Sequence, residues 1–447
     1  MESPEPVCEG GQPGLICASF NQDTTSLSMG TKTGYRLFSI TSVDKMDSIH
    51  EGVECPEVYI VERLFSSSLV VVVSLATPRR MNVYHFKKGT EICNYSYSNN
   101  ILSVRLNRQR LVVCLEESIY IHNIKDMKLL KTLLNTPSNP TGLCALSVNH
   151  GNSYLAYPGS ATNGEIIVYD ANNLSNVTMI PAHDSPLAAV TFNTSGTKLA
   201  SASEKGTVIR VFTVPEGHKL FEFRRGMKRY VSISSLSFSA DGQFLCASSN
   251  TETVHIFKLE QHTPNQEEES PTWSAYVGKM FTAASTYLPA QVSDMMHQDR
   301  AFATVRLDMI GLKNVCAMAT VQKLPRLLVA SSDGHLYIYN VDPQDGGECV
   351  LVQKHNSSRP QWCNRLFESV EESAEKPEDS ELEEVPPQPS SQSYAATVAL
   401  SSTPPSSSTL MGYSEDGGVK GDVIPEHEFA EGPVCLDDED EFPSFSP

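Results

Sequence analysis

The hexads EIIVYD (165–170) and VIRVFT (208–213) lie 43 residues apart and share one pattern. In each, apolar residues nearly alternate with other residues and an aromatic residue comes near the end, which is typical of a half-buried β-strand. A short polar turn, SEKG (203–206), precedes the second hexad. The two hexads therefore predict strands in equivalent places of a repeated unit.

Five further hexads complete the series: YRLFSI (35–40), MNVYHF (81–86), SIYIHN (118–123), TVHIFK (253–258) and HLYIYN (335–340). Successive hexads start 46, 37, 47, 43, 45 and 82 residues apart. A period of about 40–45 residues with four short strands per unit is the signature of a β-propeller blade. The series predicts an all-β, seven-bladed propeller over residues 15–356, with an insertion of roughly 37 residues in the long interval.

The insertion is placed at 261–300, in blade six, where the strand pattern disappears after TVHIFK. A connection of that length in a compact domain is functional or disordered. Residues 1–14 are predicted to be a flexible N-terminus. Residues 357–447 are rich in Ser, Pro and Glu and are predicted to form a disordered acidic tail, because they offer too few large apolar side chains to offset chain entropy. The end of this tail (426–445) either holds a partner-binding motif or is a plain solvated segment.

The charge of the chain is concentrated in its tail. The formal net charge is −19, but residues 357–447 hold 20 acidic and four basic residues. The predicted propeller is therefore nearly neutral and free to carry basic patches for an anionic partner. The longest apolar run (69–76) is far shorter than the roughly 20 residues that cross a bilayer, and no secretory signal is visible. The eleven cysteines are scattered without a C-x-x-C motif, which favours a reduced cytoplasmic protein with no metal site and no cofactor.

The stretch EFRRGMKRY (222–230) places Arg224 and Arg225 side by side at the passage from blade five to blade six. Neighbouring residues of a strand point to opposite faces, so we expect the pair to reach into two separate grooves. A guanidinium group suits phosphate oxygens, and Gly226 would let an anion approach the backbone. The competing interpretation is a solvated basic turn without a ligand.

Hydroxyl groups flank both predicted grooves. In SASEKGTVIR (201–210), Ser201 and Ser203 share a strand face, and the turn brings Thr207 and Arg210 back beside them. In SSNTETVHIF (248–257), Thr253 and His255 share a face, and Ser249 enters from the preceding strand. Hydroxyl donors beside a guanidinium group suit a phosphorylated sugar or inositol. A nucleic-acid surface would more often show a broad basic stripe with interleaved aromatic residues, so no nucleic-acid partner is predicted.

The motif FRRG (223–226), placed between blades five and six of a degenerate WD-type propeller, resembles the PROPPINs, β-propellers that bind phosphoinositides. The similarity extends over nearly all of residues 15–356. Ordinary WD40 repeats would show WD pairs in most blades, whereas neither of the two tryptophans here stands beside an aspartate. The resemblance implies two sites for PI3P and PI(3,5)P2. Site one would consist of Ser201, Ser203, Gly206, Thr207, Arg210 and Arg224, and site two of Arg225, Gly226, Ser249, Thr253 and His255.

The resemblance also implies a role in autophagy and a peripheral location on autophagosome-forming (phagophore) and endosomal membranes. The insertion would be the membrane anchor, inserting Trp273, Tyr276, Met280 and Phe281, and the spacing of Tyr276 and Met280 fits a short interfacial helix. Alternatively, these side chains pack back onto the propeller. A basic patch in blade three, formed by Arg108, Arg110, Lys125 and Lys128, would receive an acidic helix of the autophagy machinery, or is simply a solvated edge.

Three other functions compete with a monomeric lipid-binding propeller. A protein-interaction scaffold would pair Arg224 and Arg225 with acidic residues of the same chain. An RNA-binding propeller would bind single strands in a salt-sensitive way. Catalysis has the least support, because the sequence holds no G-x-S-x-G, H-E-x-x-H, Walker or kinase motif, and we expect no enzyme activity.

Overall fold

The computed structural model describes residues 15–149, 151–226, 230–260, 301–307 and 312–357, together with the backbone of residues 427–429. Every regular element in these residues is a β-strand. The strands form seven sheets, each with antiparallel neighbours in the order of the chain. The first four sheets are blade one (β1 Leu15–Phe20, β2 Ser26–Thr31, β3 Gly34–Ser39, β4 Asp47–Gly52), blade two (β5 Val58–Arg63, β6 Leu69–Ser74, β7 Arg80–His85, β8 Thr90–Ser96), blade three (β9 Ser103–Leu106, β10 Arg110–Cys114, β11 Ser118–Asn123, β12 Leu129–Leu134) and blade four (β13 Ala145–Leu146, β14 Tyr154–Pro158, β15 Gly164–Asp170, β16 Ser175–His183).

The remaining sheets complete the ring. They are blade five (β17 Leu187–Phe192, β18 Lys198–Ser203, β19 Val208–Thr213, β20 Lys219–Arg224), blade six (β21 Ile233–Phe238, β22 Phe244–Ser249, β23 Thr253–Lys258, β24 Ala303–Arg306) and blade seven (β25 Asn314–Val321, β26 Leu324–Ser331, β27 His335–Asn340, β29 Val350–Asn356). Two short strands extend outer strands: β28 (Gly347–Glu348) runs parallel to β24, and β30 (His427–Phe429) runs antiparallel to β8.

The seven hexads are the third strands of the seven blades, so the predicted all-β, seven-bladed propeller is confirmed. Their pattern has a simple cause in β19, where Ile209, Val211 and Phe212 are buried and Arg210 is only half-buried. One apolar cluster fills each of the seven junctions between adjacent blades. The first strand of every blade lines a central channel, which leaves the fourth strand at the outside.

Side chains close the ring between blade one and blade seven. Leu27 and Met29 of blade one share a buried cluster with Leu328 and Leu336 of blade seven. Nη1 of Arg36 donates a hydrogen bond to the carbonyl oxygen of Ser357 at 3.2 Å. Apart from the added strands β28 and β30, the strands of each blade follow one another along the chain, and among the described residues blades one and seven exchange no strand.

Several predictions concern segments outside the described residues: the flexible N-terminus (1–14), the insertion (261–300) and the tail (357–447) apart from Ser357 and β30. The insertion connects the third and fourth strands of blade six, since β23 ends at Lys258 and β24 begins at Ala303. All eight cysteines in the described part are free. In that same part, no helix has the length and apolar character needed to cross a bilayer, and no cluster of His, Cys, Asp and Glu could hold a metal ion.

Candidate ligand sites on blades five and six

Arg224 and Arg225 serve different blades. Arg224 is the last residue of β20 and lies opposite Val208 of β19. The backbone N–H of Arg225 still donates to the carbonyl oxygen of Thr207 in blade five, at 3.0 Å. Its guanidinium group, however, reaches blade six, where Nη2 donates to Oγ of Ser249 at 3.0 Å and to Oγ1 of Thr251 at 2.5 Å. One dipeptide thus contributes cations to two neighbouring blades.

In blade five, a carboxylate compensates one of the predicted cations. Arg210 lies between Ser201 of β18 and Glu222 of β20 in the sheet. Its Nε donates to Oε2 of Glu222 at 2.8 Å, and Nζ of Lys219 donates to the same oxygen at 2.9 Å. Burial alone would raise the pKa of Glu222, but the bonds from Lys219 and Arg210 outweigh it and hold that pKa below its usual value. An anion approaching Arg210 therefore meets a guanidinium group that is already paired.

Both serines of site one are buried, and the hydroxyl group of Ser201 has a partner. Oγ of Ser201 lies 2.9 Å from Nε2 of His183, at the end of β16 in blade four. Burial, and then the positive charge of Arg210, lower the pKa of His183 to about 4, so this ring is neutral at pH 7. Ser203 is buried and accepts a hydrogen bond from the N–H of Gly206 through its carbonyl oxygen, at 2.9 Å.

The turn that presents Thr207 requires its glycine. Gly206 has a φ of +61°, a conformation that L side chains rarely adopt, and a Cβ added to it would come within 2.1 Å of the carbonyl oxygen of Val231. Gly226 is different, because an added Cβ would meet no described residue within 4 Å. Packing against the described residues therefore does not demand glycine at position 226, which makes this residue suitable for testing whether a ligand approaches the backbone.

Blade six repeats the plan of blade five with different side chains. Thr253 of β23 lies opposite Arg306 of β24, as Val208 lies opposite Arg224 in blade five. His255 takes the place of Arg210. It lies between Ala247 of β22 and Thr304 of β24, so Thr304 takes the place of Glu222. Arg306 is exposed, and it is the blade-six equivalent of Arg224.

Each site holds a buried polar atom without a hydrogen-bond partner among the described residues: Nε of Arg224 and Nδ1 of His255. Such an atom costs about 1–3 kcal/mol when it stays unpaired, so an incoming acceptor or donor is favoured there. Burial, and then the positive charge of Arg225, lower the pKa of His255 to about 4. At pH 7, each site therefore has a neutral imidazole near an arginine.

Sequence reasoning missed five residues of these sites: Thr251, Arg306 and Thr304 in blade six, and Glu222 and His183 in blade five. The sequence could have indicated Thr251 as a site residue, because it stands two residues after Ser249 in a polar turn. The sequence could not have indicated Arg306 and Thr304. They pair with Thr253 and His255 across the long insertion, and the sequence does not give the register of that pairing. Glu222 begins the stretch EFRRGMKRY (222–230), but only the pairing of β19 with β20 places it against Arg210.

The four basic residues of blade three lie at one end of that blade, since Arg110 at the start of β10 pairs with Asn123 at the end of β11. The two arginines, Arg108 and Arg110, contact the neighbouring blades. Nε of Arg110 donates to the carbonyl oxygen of Ala171 in blade four at 2.7 Å, and the guanidinium group of Arg108 lies 4.4 Å from the ring centre of Phe65 in blade two. Lys125 and Lys128 are exposed in the turn before β12.

The four residues predicted to insert into a membrane, Trp273, Tyr276, Met280 and Phe281, lie outside the described residues. The described strands show where the insertion begins. It leaves blade six after Lys258 at the end of β23, whereas Thr253 of site two stands at the start of the same strand. Five residues of strand, roughly 17 Å, separate these two points.

Comparison with known proteins gives three consistent results. The family model described as PROPPIN matches residues 14–358. The WD repeat domain phosphoinositide-interacting protein 1 of Homo sapiens is 69% identical over 435 residues, covering 97% of this chain and 94% of that protein. Autophagy-related protein 18 of Caenorhabditis elegans is 42% identical, covering 75% of this chain and 84% of that protein.

Solved structures agree on the fold. Kluyveromyces lactis Hsv2 superposes with a TM-score of 0.59 at 19% identity, covering 76% of this chain and 98% of that one. A complex of KlAtg21 with the coiled-coil of AgAtg16 superposes with a TM-score of 0.60 at 24% identity, covering 77% of this chain and 99% of the matched chain. At these identities the likeness concerns the propeller fold alone.

Proposed function

The chain belongs to the PROPPIN family, and on that premise we propose that it binds PI3P and PI(3,5)P2 on membranes through site one and site two. By recruiting partner proteins there, it acts in autophagosome formation and endosomal membrane trafficking. The relatives named for phosphoinositide interaction and for autophagy support both parts of this function.

One observation carries the proposal: the adjacent Arg224 and Arg225 supply two different blades. The guanidinium group of Arg225 lies among the hydroxyl groups of Ser249 and Thr251, and this combination of donors suits a phosphorylated inositol ring. The buried unpaired atoms, Nε of Arg224 and Nδ1 of His255, are further groups that a phosphate or hydroxyl could satisfy.

Two sites on adjacent blades make membrane binding multivalent. Once one headgroup is held, the second engages at a high effective concentration, which raises overall avidity by roughly 10²–10⁴-fold over a single site. The insertion would add a third contact through Trp273, Tyr276, Met280 and Phe281. Because it starts roughly 17 Å along β23 from Thr253, its apolar part has to extend back toward the sites to meet the same bilayer.

We further propose that the protein is a cytoplasmic monomer that associates peripherally with phagophore and endosomal membranes, and that it binds rather than catalyses. The exposed Lys125 and Lys128 are the part of the blade-three patch best placed to meet an acidic helix of an autophagy protein.

Flotation with liposomes that each carry one phosphoinositide tests the proposal. The variant Arg224→Gln/Arg225→Gln should lose binding to PI3P and PI(3,5)P2 liposomes, while each single variant keeps part of it. The matched control is Arg79→Gln/Arg80→Gln, an exposed pair of adjacent arginines in blade two, which should float like the wild type. Normal flotation of the Arg224/Arg225 variant would favour the rival function, a propeller scaffold without direct lipid binding.

A further inference from the structure

The C-terminal strand β30 extends the outer edge of blade two. It runs antiparallel to β8, with His427 opposite Tyr95, Glu428 opposite Asn94 and Phe429 opposite Cys93. β8 is the fourth and outermost strand of its blade, so the pairing creates a five-stranded sheet. The free edge of an outer strand presents unpaired backbone N–H and C=O groups, which is where an extended segment can add as a further strand.

Burial sets β8 apart from the other outer strands. Its four consecutive residues Ile92, Cys93, Asn94 and Tyr95 are all buried, so both faces of the strand are covered. The equivalent strand of blade three, β12, has no buried residue, and its Leu130 and Leu134 are 38% and 47% exposed. β8, the outer strand that pairs with β30, therefore has central residues that are buried on both faces.

The sequence around β30 limits it to a short segment. Pro425 and Pro433 stand on either side. Proline has no N–H and cannot donate to a ladder, so at most residues 426–432 can pair continuously with β8. The pairing is short, and local openings of such peripheral elements lie at the low end of the stability range. The added strand can therefore leave without disturbing the blade.

Charge favours the same placement. The segment between the two prolines contains Glu426, Glu428 and Glu431 and no Lys or Arg. The edge of β8 adjoins the turn of blade three that carries the exposed Lys125 and Lys128, because the hydroxyl group of Tyr95 donates to the carbonyl oxygen of Met127 in that turn, at 2.5 Å. β30, which belongs to this acidic segment, thus pairs with β8 beside a turn that carries two lysines, one of which, Lys128, also pairs with Asp126 at 3.5 Å.

We propose that the segment around His427–Phe429 is an internal strand that occupies the edge of blade two in cis and blocks other extended acidic segments from pairing there. The connection, residues 358–426, spans up to about 230 Å when fully extended, so its length does not limit the arrangement. The edge beside Lys125 and Lys128 becomes available only when β30 leaves. The tail is therefore a competitive gate on this surface, independent of site one and site two.

Hydrogen exchange of the full chain, without lipid, tests the occupancy. The amides of adjacent strand residues point to opposite sides, so Glu428→Pro/Phe429→Pro removes whichever of the two faces β8. Residues 93–95 should then exchange about tenfold faster than in the wild type. The same dipeptide recurs at 441–442, and Glu441→Pro/Phe442→Pro should leave the exchange of residues 93–95 unchanged. Residues 129–134 of β12 should be unaffected in both variants.

Unchanged exchange at 93–95 in the Glu428→Pro/Phe429→Pro variant overturns the proposal. Protection that appears only in dimers, as measured by light scattering over a concentration series, overturns the arrangement in cis in favour of a second copy. A labelled peptide of residues 423–433 tests the gate and should bind the Glu428→Pro/Phe429→Pro variant at least tenfold more tightly than the wild type. Equal binding to both, or no binding to the variant, overturns the gate.

Discussion

Blades five and six use the same strand register to hold different chemistry. In blade five, the third strand supplies Arg210, and Glu222 on the outer strand neutralises it at 2.8 Å. In blade six, His255 and Thr304 stand at the equivalent positions, so neither position carries a carboxylate. The number of arginines in a blade is therefore a poor guide to its affinity for anions. Blade six, where the guanidinium group of Arg225 lies beside the hydroxyl groups of Ser249 and Thr251, is expected to be the stronger site.

The largest expected effect therefore comes from Arg225→Gln. We expect this variant to lose about 100-fold in affinity for a soluble inositol 1,3-bisphosphate headgroup, because hydrogen bonds to charged groups contribute about 1.5–3 kcal/mol each. Isothermal titration calorimetry measures this loss. The matched variant in blade five, Arg210→Gln/Glu222→Gln, removes one charge of each sign and should change affinity by less than about threefold. Equal losses in the two variants would contradict the ranking of the blades.

The stability of the protein in acid allows blades five and six to be compared, because each site has a histidine with a lowered pKa. The folded pKa of His255 is about 4, below the usual 6.5, so the unfolded chain takes up the proton first. The free energy of unfolding should fall as the pH drops from 6.5 to 4 and level off below that. We expect His255→Gln to recover about 2 kcal/mol of that loss, discounted for partial exposure. Urea unfolding of both proteins between pH 7 and pH 4 measures it.

His183 provides the counterpart in blade five, since its pKa is also lowered to about 4. His183→Gln should give a similar gain, and the two gains should add because the residues lie in different blades. Adding the soluble headgroup should reduce the acid loss due to His255 more than the loss due to His183. Equal protection of the two histidines would mean that the headgroup does not prefer blade six.

The smallest expected effect is a gain. Glu222→Gln alone removes the carboxylate that pairs with Arg210 and should raise affinity for the headgroup about threefold at low salt, with the gain fading as salt screens the charges. The control is Glu51→Gln, which breaks the equivalent pair of third and fourth strands in blade one, where Arg36 and Glu51 lie 2.9 Å apart. An affinity loss in Glu222→Gln would mean that the ion pair positions Arg210 for the ligand.

The third strands of all seven blades could be predicted from the sequence because their alternation reports directly which side chains are buried. The separation of Arg224 from Arg225 could also be predicted, since it follows from strand geometry alone. Arg306 and Thr304 could not, because their positions depend on register across the insertion. The pairing of β30 with β8 was equally hidden, because three residues of an acidic segment carry no hydrophobic pattern. The sequence thus predicted features that depend on neighbouring residues, but it did not predict strand pairings between residues far apart in the chain.

The closure of the ring has a mechanical consequence. Because blades one and seven share no strand, separating them among the described residues breaks side-chain packing and a few bonds such as that from Arg36 to Ser357, but no backbone ladder. A force applied between Leu15 and Ser357 acts first on the contact between blades one and seven. We therefore expect these two blades to separate while the individual sheets stay intact. Single-molecule stretching would register this as a low-force opening that precedes the rupture of any blade.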